Sequence, residues 1–197
     1  MRKVFLDLGT HHGQGLGEFI ERFKMDSSWI IHTFEANPAT YEIYMRDHHS
    51  RTPWVIAHNL AVSDNDGVIV LNQESISTGT DDGMGSTVVN IENWNPWNLR
   101  EEGNFRKQQK VPCINLSNFI KNTFDKDDNI VIKMDIEGSE FVTLQKMIDD
   151  DTISYVKFLT VEWHAKFFTN VDDIHEKEAK LIEKLQSYPN LQLESWK

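Results

Sequence analysis

Lys3-Val4-Phe5-Leu6-Asp7-Leu8-Gly9-Thr10-His11-His12-Gly13-Gln14-Gly15 reads as a short buried strand running into a glycine-rich turn. Lys3–Leu8 is apolar on nearly every position, as a strand covered on both faces of a sheet requires. The glycines allow a tight turn and let a ligand approach the backbone. Beyond the turn, Leu16, Phe19, Ile20 and Phe23 recur at helical spacing and define one buried stripe. A strand, a glycine turn and an amphipathic helix in that order open a parallel α/β fold.

Further along, the apolar run Trp29–Phe34 predicts a second strand, closed by Glu35. Asn37-Pro38 then supplies a helix cap and a proline fitted to the first helical position. Tyr41, Tyr44 and Met45 continue that helix on one face, and about Trp54–Leu60 forms a third strand. This is half of a doubly wound sheet, in which ligands sit beyond the carboxyl ends of the strands. In the middle, Asp64-Asn65-Asp66-Gly67 is turn chemistry between Val55–Val62 and Val68–Leu71 and predicts a hairpin. Its acids lack the later ligands of a calcium loop. From Asn72 to about Lys110 the chain is rich in Gly, Asn, Asp, Ser and Thr around Trp94 and Trp97, with room for a short strand at Thr87–Ile91. Stretches of this kind serve as binding loops or lids.

Regular alternation resumes with Val111–Ile114, a short helix near Leu116–Lys121 and a strand at Asn129–Asp135. Asn115-Leu116-Ser117 matches a glycosylation sequon but reads as a helix cap. Ser139 caps a helix that turns Phe141, Leu144, Met147 and Ile148 inward. A fifth parallel strand, Tyr155–Val161, leads into Glu162-Trp163-His164. Ile174, Leu181, Ile182 and Leu185 mark the last helix, and Asn190–Trp196 one further strand.

The 197 residues, 39% of them hydrophobic, suit a single core rather than two domains. The single cysteine, Cys113, permits no internal disulfide and no cysteine metal site, so a reducing, cytoplasmic setting is expected. No apolar run is long enough to span a bilayer, and Asp7 interrupts the first one too early for a signal-peptide core, so no membrane association is expected. A net charge of −11 repels polyanions and argues against a nucleic-acid partner. Arg100, Arg106, Lys107 and Lys110, interleaved with Glu101 and Glu102, read as a solvated loop.

Polar residues that terminate strands are the site candidates. Gly13 and Gly15 begin a G-x-G-x-x-G fingerprint, but Glu18 stands where its third glycine belongs, and no P-loop element exists. Glu35 ends the second strand, where an acid accepts hydrogen bonds from ribose hydroxyls or simply faces solvent. Asp135 and Glu137 alternate, so only one faces the cleft of a regular strand, and the other caps the next helix. Glu140 has the same structural reading, and His164 either serves chemistry or satisfies a backbone group. Asp135, Glu162 and His164 together are a set able to hold a hard or borderline metal, but their spacing is not diagnostic and no metal is assigned.

In sequence, Asp7-Leu8-Gly9-Thr10-His11-His12-Gly13-Gln14, Phe34-Glu35-Ala36-Asn37-Pro38, Asn59-Leu60-Ala61-Val62-Ser63 with Gly67, Leu116-Ser117-Asn118-Phe119, and Ile132-Lys133-Met134-Asp135-Ile136-Glu137-Gly138-Ser139-Glu140 resemble the successive motifs of the FkbM methyltransferase family, and Glu162 follows in order. The resemblance extends over nearly the whole chain. It implies a Rossmann-like class I methyltransferase fold, doubly wound and mostly parallel with helices on both faces. It also implies one domain over residues 1–197 with a loop-rich insertion at about 72–110.

The same resemblance implies S-adenosyl-L-methionine as cofactor. Asp7 and the Gly9, Thr10, His11 and Gly13 turn would lie at its methionine end, Glu35 on its ribose, and Ala61 and Val62 beside its adenine. His11 and His12 depart from the smaller or apolar residues common in that turn. The expected reaction is displacement by an acceptor oxygen, for which the protein aligns two atoms and excludes water. Asp135 is expected to face the transferred methyl, with Glu162 or His164 assisting the acceptor and Glu137 and Glu140 as further candidate bases.

The expected acceptor is a hydroxyl on a small molecule or glycan, against whose apolar faces Trp94, Trp97 or Trp163 would stack unless they pack a loop onto the domain. Gly85-Ser86-Thr87 resembles a loop segment of the family. Sheets of this class usually close with an antiparallel pair, which one terminal strand cannot supply, so the edge is trimmed, completed by a middle strand, or covered by a partner as in a homodimer. The chain also starts at its first strand, without the helical extension that often covers the substrate side in the family, which predicts a more open acceptor site. Two other classes fit the fold: a NAD-dependent oxidoreductase, and a non-catalytic binding module that keeps the cofactor turn.

Overall fold

A computed structural model describes residues 1–47, 52–75, 85–94 and 104–196. Trp97, Arg100, Glu101 and Glu102 lie outside the described residues. The elements in chain order are β1 (Lys3–Leu8), α1 (Gln14–Phe23), β2 (Trp29–Phe34), α2 (Pro38–Asp47), β3 (Val55–His58), β4 (Ala61–Ser63), β5 (Gly67–Ser75), β6 (Asn104–Asn115), α3 (Leu116–Thr123), β7 (Asn129–Met134), α4 (Glu140–Asp149), β8 (Val156–Val161), α5 (Val171–Gln186) and β9 (Gln192–Ser195).

Six strands form one sheet in the order β3-β2-β1-β7-β8-β9, and every pairing in it is parallel. The order reverses between β1 and β7, and a cleft opens at their carboxyl ends. Alternation along β1 divides the core. Val4, Leu6 and Leu8 face the side covered by α3, α4 and α5, whereas Phe5 packs with Leu16, Phe19 and Tyr44 from α1 and α2. Phe5, Phe19 and Phe34 are fully buried, each contributing about 1.5–3 kcal/mol of hydrophobic stabilisation. Both faces are therefore covered, as the doubly wound reading expects.

Local chemistry sets several boundaries. Asn37 Oδ1 accepts the Ala39 N–H at 3.1 Å and opens α2, and Asn115 Oδ1 accepts the Asn118 N–H at 3.1 Å and opens α3, the cap expected of that sequon. Ser139 does not cap α4: its hydroxyl donates to the Val62 carbonyl at 3.2 Å instead.

The predicted hairpin across Asp64–Gly67 does not form. A second sheet has the order β4-β6-β5, so β6 lies between the two strands expected to pair. Ala61 pairs with Cys113 in parallel while Gly67 pairs with Cys113 from the other side, antiparallel. The turn acids serve this insertion, since Asp66 accepts the Asn115 N–H at 2.9 Å and the Asn118 side-chain N–H at 2.8 Å. The loop expected over 72–110 is correspondingly shorter: β5 runs on to Ser75, and β6 begins at Asn104, with Lys107 and Lys110 in strand rather than loop. Thr87–Ile91 is not a strand; Thr87 makes a single bridge to Asn72. At the far edge β9 adds in parallel to β8, and the antiparallel pair β5–β6 belongs to the second sheet. Among the described residues no helix is long and apolar enough to cross a membrane.

Candidate active site

A cavity of about 430 Å³ opens beyond the carboxyl ends of β1, β2, β7 and β8. One end is apolar, lined by Phe34, Ala36, Leu60, Ala61, Val62 and Val88, and the other carries Asp135, Glu137, Glu162 and His164. Gly9, Thr10, His11 and Glu35 join the two. The size falls within the range of small-molecule and cofactor sites.

The first turn is shaped by its contacts with neighbouring loops. Gly9 (φ +77°) is required because a Cβ there would lie 1.7 Å from the Asp135 carbonyl oxygen. Gly13 (φ +84°) backs onto the Tyr44 ring, where a Cβ would lie 2.9 Å away, and does not line the cavity. His11 also has a positive φ, 50°, and its N–H donates to Glu35 Oε2 at 2.9 Å. Glu35 Oε1 accepts the Asn37 N–H at 2.8 Å, so both oxygens of this carboxylate are aimed by backbone amides. Burial pushes its carboxyl above the usual range, against those two hydrogen bonds.

Asp7 lies beneath the cavity and not in its lining; it is fully buried and faces Lys133, whose Nζ is 3.5 Å from Asp7 Oδ1. That Nζ also donates to the Gly9 carbonyl at 2.7 Å and lies 3.1 Å from Asp135 Oδ2. Burial works to lower the Lys133 pKa, but Asp7 and Asp135 outweigh it and hold the ammonium charged. Lys133 thus ties the glycine turn to the acidic turn. Sequence reasoning includes this residue only as part of a motif, although a lysine within Ile130–Met134, otherwise an apolar strand, is itself a signal.

The acidic turn is strained and clamped. Glu137 (φ 50°) and Gly138 (φ 98°) are both left-handed, and a Cβ on Gly138 would lie 2.4 Å from the Trp94 ring. The Thr87 hydroxyl donates to the Glu137 carbonyl, and Ser86 lines the cavity, so Gly85–Thr87 braces this turn. Trp94 is buried against Phe167 and Phe168 and packs a loop onto the domain, while Trp163 packs on Phe141 at 5.7 Å; neither lines the cavity as a sugar platform. The aromatic side chains that do line it are Phe34, Phe167 and Trp196, and sequence reasoning does not single out the last two.

Asp135, Glu162 and His164 come together. The buried His164 lies with Nε2 3.9 Å from Asp135 Oδ1, 3.7 Å from Glu162 Oε1 and 3.5 Å from Glu137 Oε2. Its Nδ1 lies 3.0 Å from Glu140 Oε1, and Glu140 in turn accepts the Ile136 and Gly138 N–H groups at 2.8 and 2.9 Å. Burial opposes charge on His164, but Glu140 first, then Glu137 and Asp135, push its pKa up to about 10. Burial raises Glu137 to about 8, its acidic neighbours adding to the effect and His164 opposing it. Glu162 is also raised, by burial and then by Asp135.

A family model, the methyltransferase FkbM domain, matches residues 7–187. The chain belongs to the FkbM methyltransferase family. No curated protein matches it. Among solved structures this FkbM chain is similar to a methyltransferase FkbM from Methylobacillus flagellatus KT, with 14% identity, a TM-score of 0.54, 94% of this chain covered and 38% of that one. That likeness concerns the fold, and the FkbM domain spans about 38% of the neighbour's length. The motifs that carry the FkbM resemblance, from Asp7 to Glu162, all fall within the matched residues.

Proposed function

We propose that this domain is an S-adenosylmethionine-dependent O-methyltransferase acting on a hydroxyl of a small molecule or glycan. The observation that carries the reading is the polarity of one cavity, apolar beside Ala61 and Val62 and acidic beside Asp135 and Glu162. An adenine suits the first end, and the cationic sulfonium and amino groups of the cofactor suit the second. A dinucleotide suits the turn less well, because Glu18 stands where the third glycine of its fingerprint belongs.

The residues fit this cofactor. Glu35 presents a carboxylate fixed by two amides to ribose hydroxyls, and the Gly9–His11 backbone borders the methionine end. When bound, the cofactor supplies a methyl group already activated by its sulfonium. The chain's own task is to align the acceptor oxygen opposite that methyl, exclude water and take a proton. Asp135, oriented by Lys133, would stand beside the transferred methyl group. Glu162 is partly exposed at the rim with its pKa raised, which suits it to accept the hydroxyl proton as the oxygen–carbon bond forms and the sulfur–carbon bond breaks. His164, already charged by its acidic neighbours, orients Glu162 and Glu137. Pairing of two copies through the β9 edge belongs to this reading, and a monomeric mass at all concentrations would remove it.

The test is transfer of a labelled methyl group to a panel of hydroxyl-bearing sugars and small alcohols. Recovery of a base-stable methyl ether supports the reading. Label recovered only as a base-labile ester or on nitrogen overturns the O-ether chemistry.

A further inference from the structure

The acid–histidine cluster has a feature that a proton-transfer site does not need. His164 has a side chain only 2% exposed, and its two ring nitrogens are treated differently. Nδ1 is fixed by Glu140, whose own oxygens are held by two backbone amides. Nε2 points into the cavity, faces carboxylates at 3.5, 3.7 and 3.9 Å, and makes no hydrogen bond among the described residues. Asp135 is divided in the same way: Oδ2 faces Lys133 at 3.1 Å, leaving Oδ1 toward His164.

We propose that His164 Nε2, Asp135 Oδ1 and Glu162 Oε1 bind a first-row divalent cation. One ligand atom from each of these residues lies within 4.8 Å of the others. Donor atoms around one ion with bonds of about 2.1 Å stand about 3.0–3.4 Å apart, so small side-chain rotations close the site. A histidine ligand whose other nitrogen is held by a buried carboxylate is the outer-shell arrangement that fixes the tautomer and raises ligand basicity. Glu140 fills that role, and Glu137 stands at 3.5 Å as a further donor. One imidazole nitrogen with carboxylate oxygens matches Mn²⁺ or Zn²⁺ better than Mg²⁺ or Ca²⁺. The charge agrees: even with the Lys133 ammonium on Asp135, the carboxyl groups of Asp135, Glu137, Glu140 and Glu162 outnumber the basic groups around them.

The site itself stands on this geometry. Its role rests on the methyltransferase reading, in which an acceptor hydroxyl bound to the cation ionises more readily than the free alcohol. The ion replaces the proton on His164 Nε2; Glu162 Oε1 and His164 Nε2 hold it, and Glu162 Oε2 is left to take the hydroxyl proton.

The experiment uses the full chain stripped with a chelator. Mn²⁺ is titrated while the free-ion paramagnetic resonance signal is followed, and S-adenosylhomocysteine is titrated separately by calorimetry. The expected result is saturable binding at a single site, displaced by Zn²⁺ and weakened about tenfold or more in E162Q and in H164N. E162Q alters a partly exposed side chain, so it carries the result if H164N does not fold; cooperative thermal unfolding is the check. No saturable binding, or affinity unchanged in E162Q, overturns the proposal. S-adenosylhomocysteine binding without Mn²⁺ binding overturns the cation site alone. Mn²⁺ binding without S-adenosylhomocysteine binding upholds the site and sinks the methyltransferase reading.

Discussion

Lys133 Nζ bridges two acids from different parts of the sheet, Asp7 within β1 at 3.5 Å and Asp135 just past β7 at 3.1 Å. All three lie at the point where strand order reverses, and the ammonium also holds the Gly9 carbonyl. Removing the cation leaves a buried Asp7 uncompensated. K133M is therefore expected to lose about 3–5 kcal/mol of stability. The double variant D7N/K133M should lose clearly less than the sum of its single changes, because the orphaned charge is gone. Urea unfolding of the four proteins measures the coupling, and simple additivity would argue against the bridge.

The glycine positions differ sharply in what they tolerate. At Gly9 both the positive φ and the Asp135 carbonyl oppose a side chain, so G9A should destabilise by more than about 2 kcal/mol. Gly17 lies within α1, and a Cβ there would meet nothing within 4 Å, so G17A should stabilise by about 0.5–1 kcal/mol. Shifts of the urea midpoint in opposite directions are the expected result.

Much of the fold is legible in the sequence, and the reasons are local. Turn and cap chemistry is written in neighbouring residues, which is why the turn after β1 and the caps at Asn37 and Asn115 read correctly. The Asp64–Gly67 segment misleads because turn residues say where a chain bends but not which strand it then joins. Its partner, β6, lies some forty residues on, and Lys107 and Lys110 hide its strand period under a solvated face. The His164–Glu140 contact spans 24 residues and two elements, and no spacing rule announces it. Motif resemblance puts Asp7 at the methionine end of the cofactor, but depth in the sheet, invisible in sequence, places it under the floor.

Acid should expose another buried pair. His32 Nδ1 lies 2.8 Å from His58 Nε2, among Phe34, Phe119 and Phe124, and burial followed by His58 pushes the His32 pKa down to about 4. Between about pH 6.5 and 4 the unfolded chain then binds more protons than the folded one, so stability falls as pH falls, by up to about 1.4 kcal/mol per unit. Glu35, whose folded pKa is raised above the ordinary 4.5, acts in the opposite sense above about pH 4.5, within the same window. The difference between wild type and H32L isolates the histidine: H32L should show the shallower loss between pH 6.5 and 4, and parallel curves would refute the assignment.

Glu140 holds the acidic turn from inside, accepting two amides and facing His164. E140A should cost about 3–5 kcal/mol, while E140Q, which keeps one acceptor oxygen, should lose less. Thermal or urea unfolding distinguishes them, and equal losses would deny the amide hydrogen bonds any separate part in holding the turn.

If the cavity between the Gly9 turn, Glu35 and Asp135 takes S-adenosylmethionine, the chain must bind that compound and its demethylated product without an acceptor present. Calorimetric titration with S-adenosylhomocysteine, S-adenosylmethionine and NAD, repeated on folded E35A and D7A variants, reads this out. Saturable binding of both sulfur compounds is expected, weakened about tenfold or more by E35A through lost ribose hydrogen bonds, with no comparable binding of NAD. Binding of NAD alone, or of none of the three, would overturn the cofactor assignment.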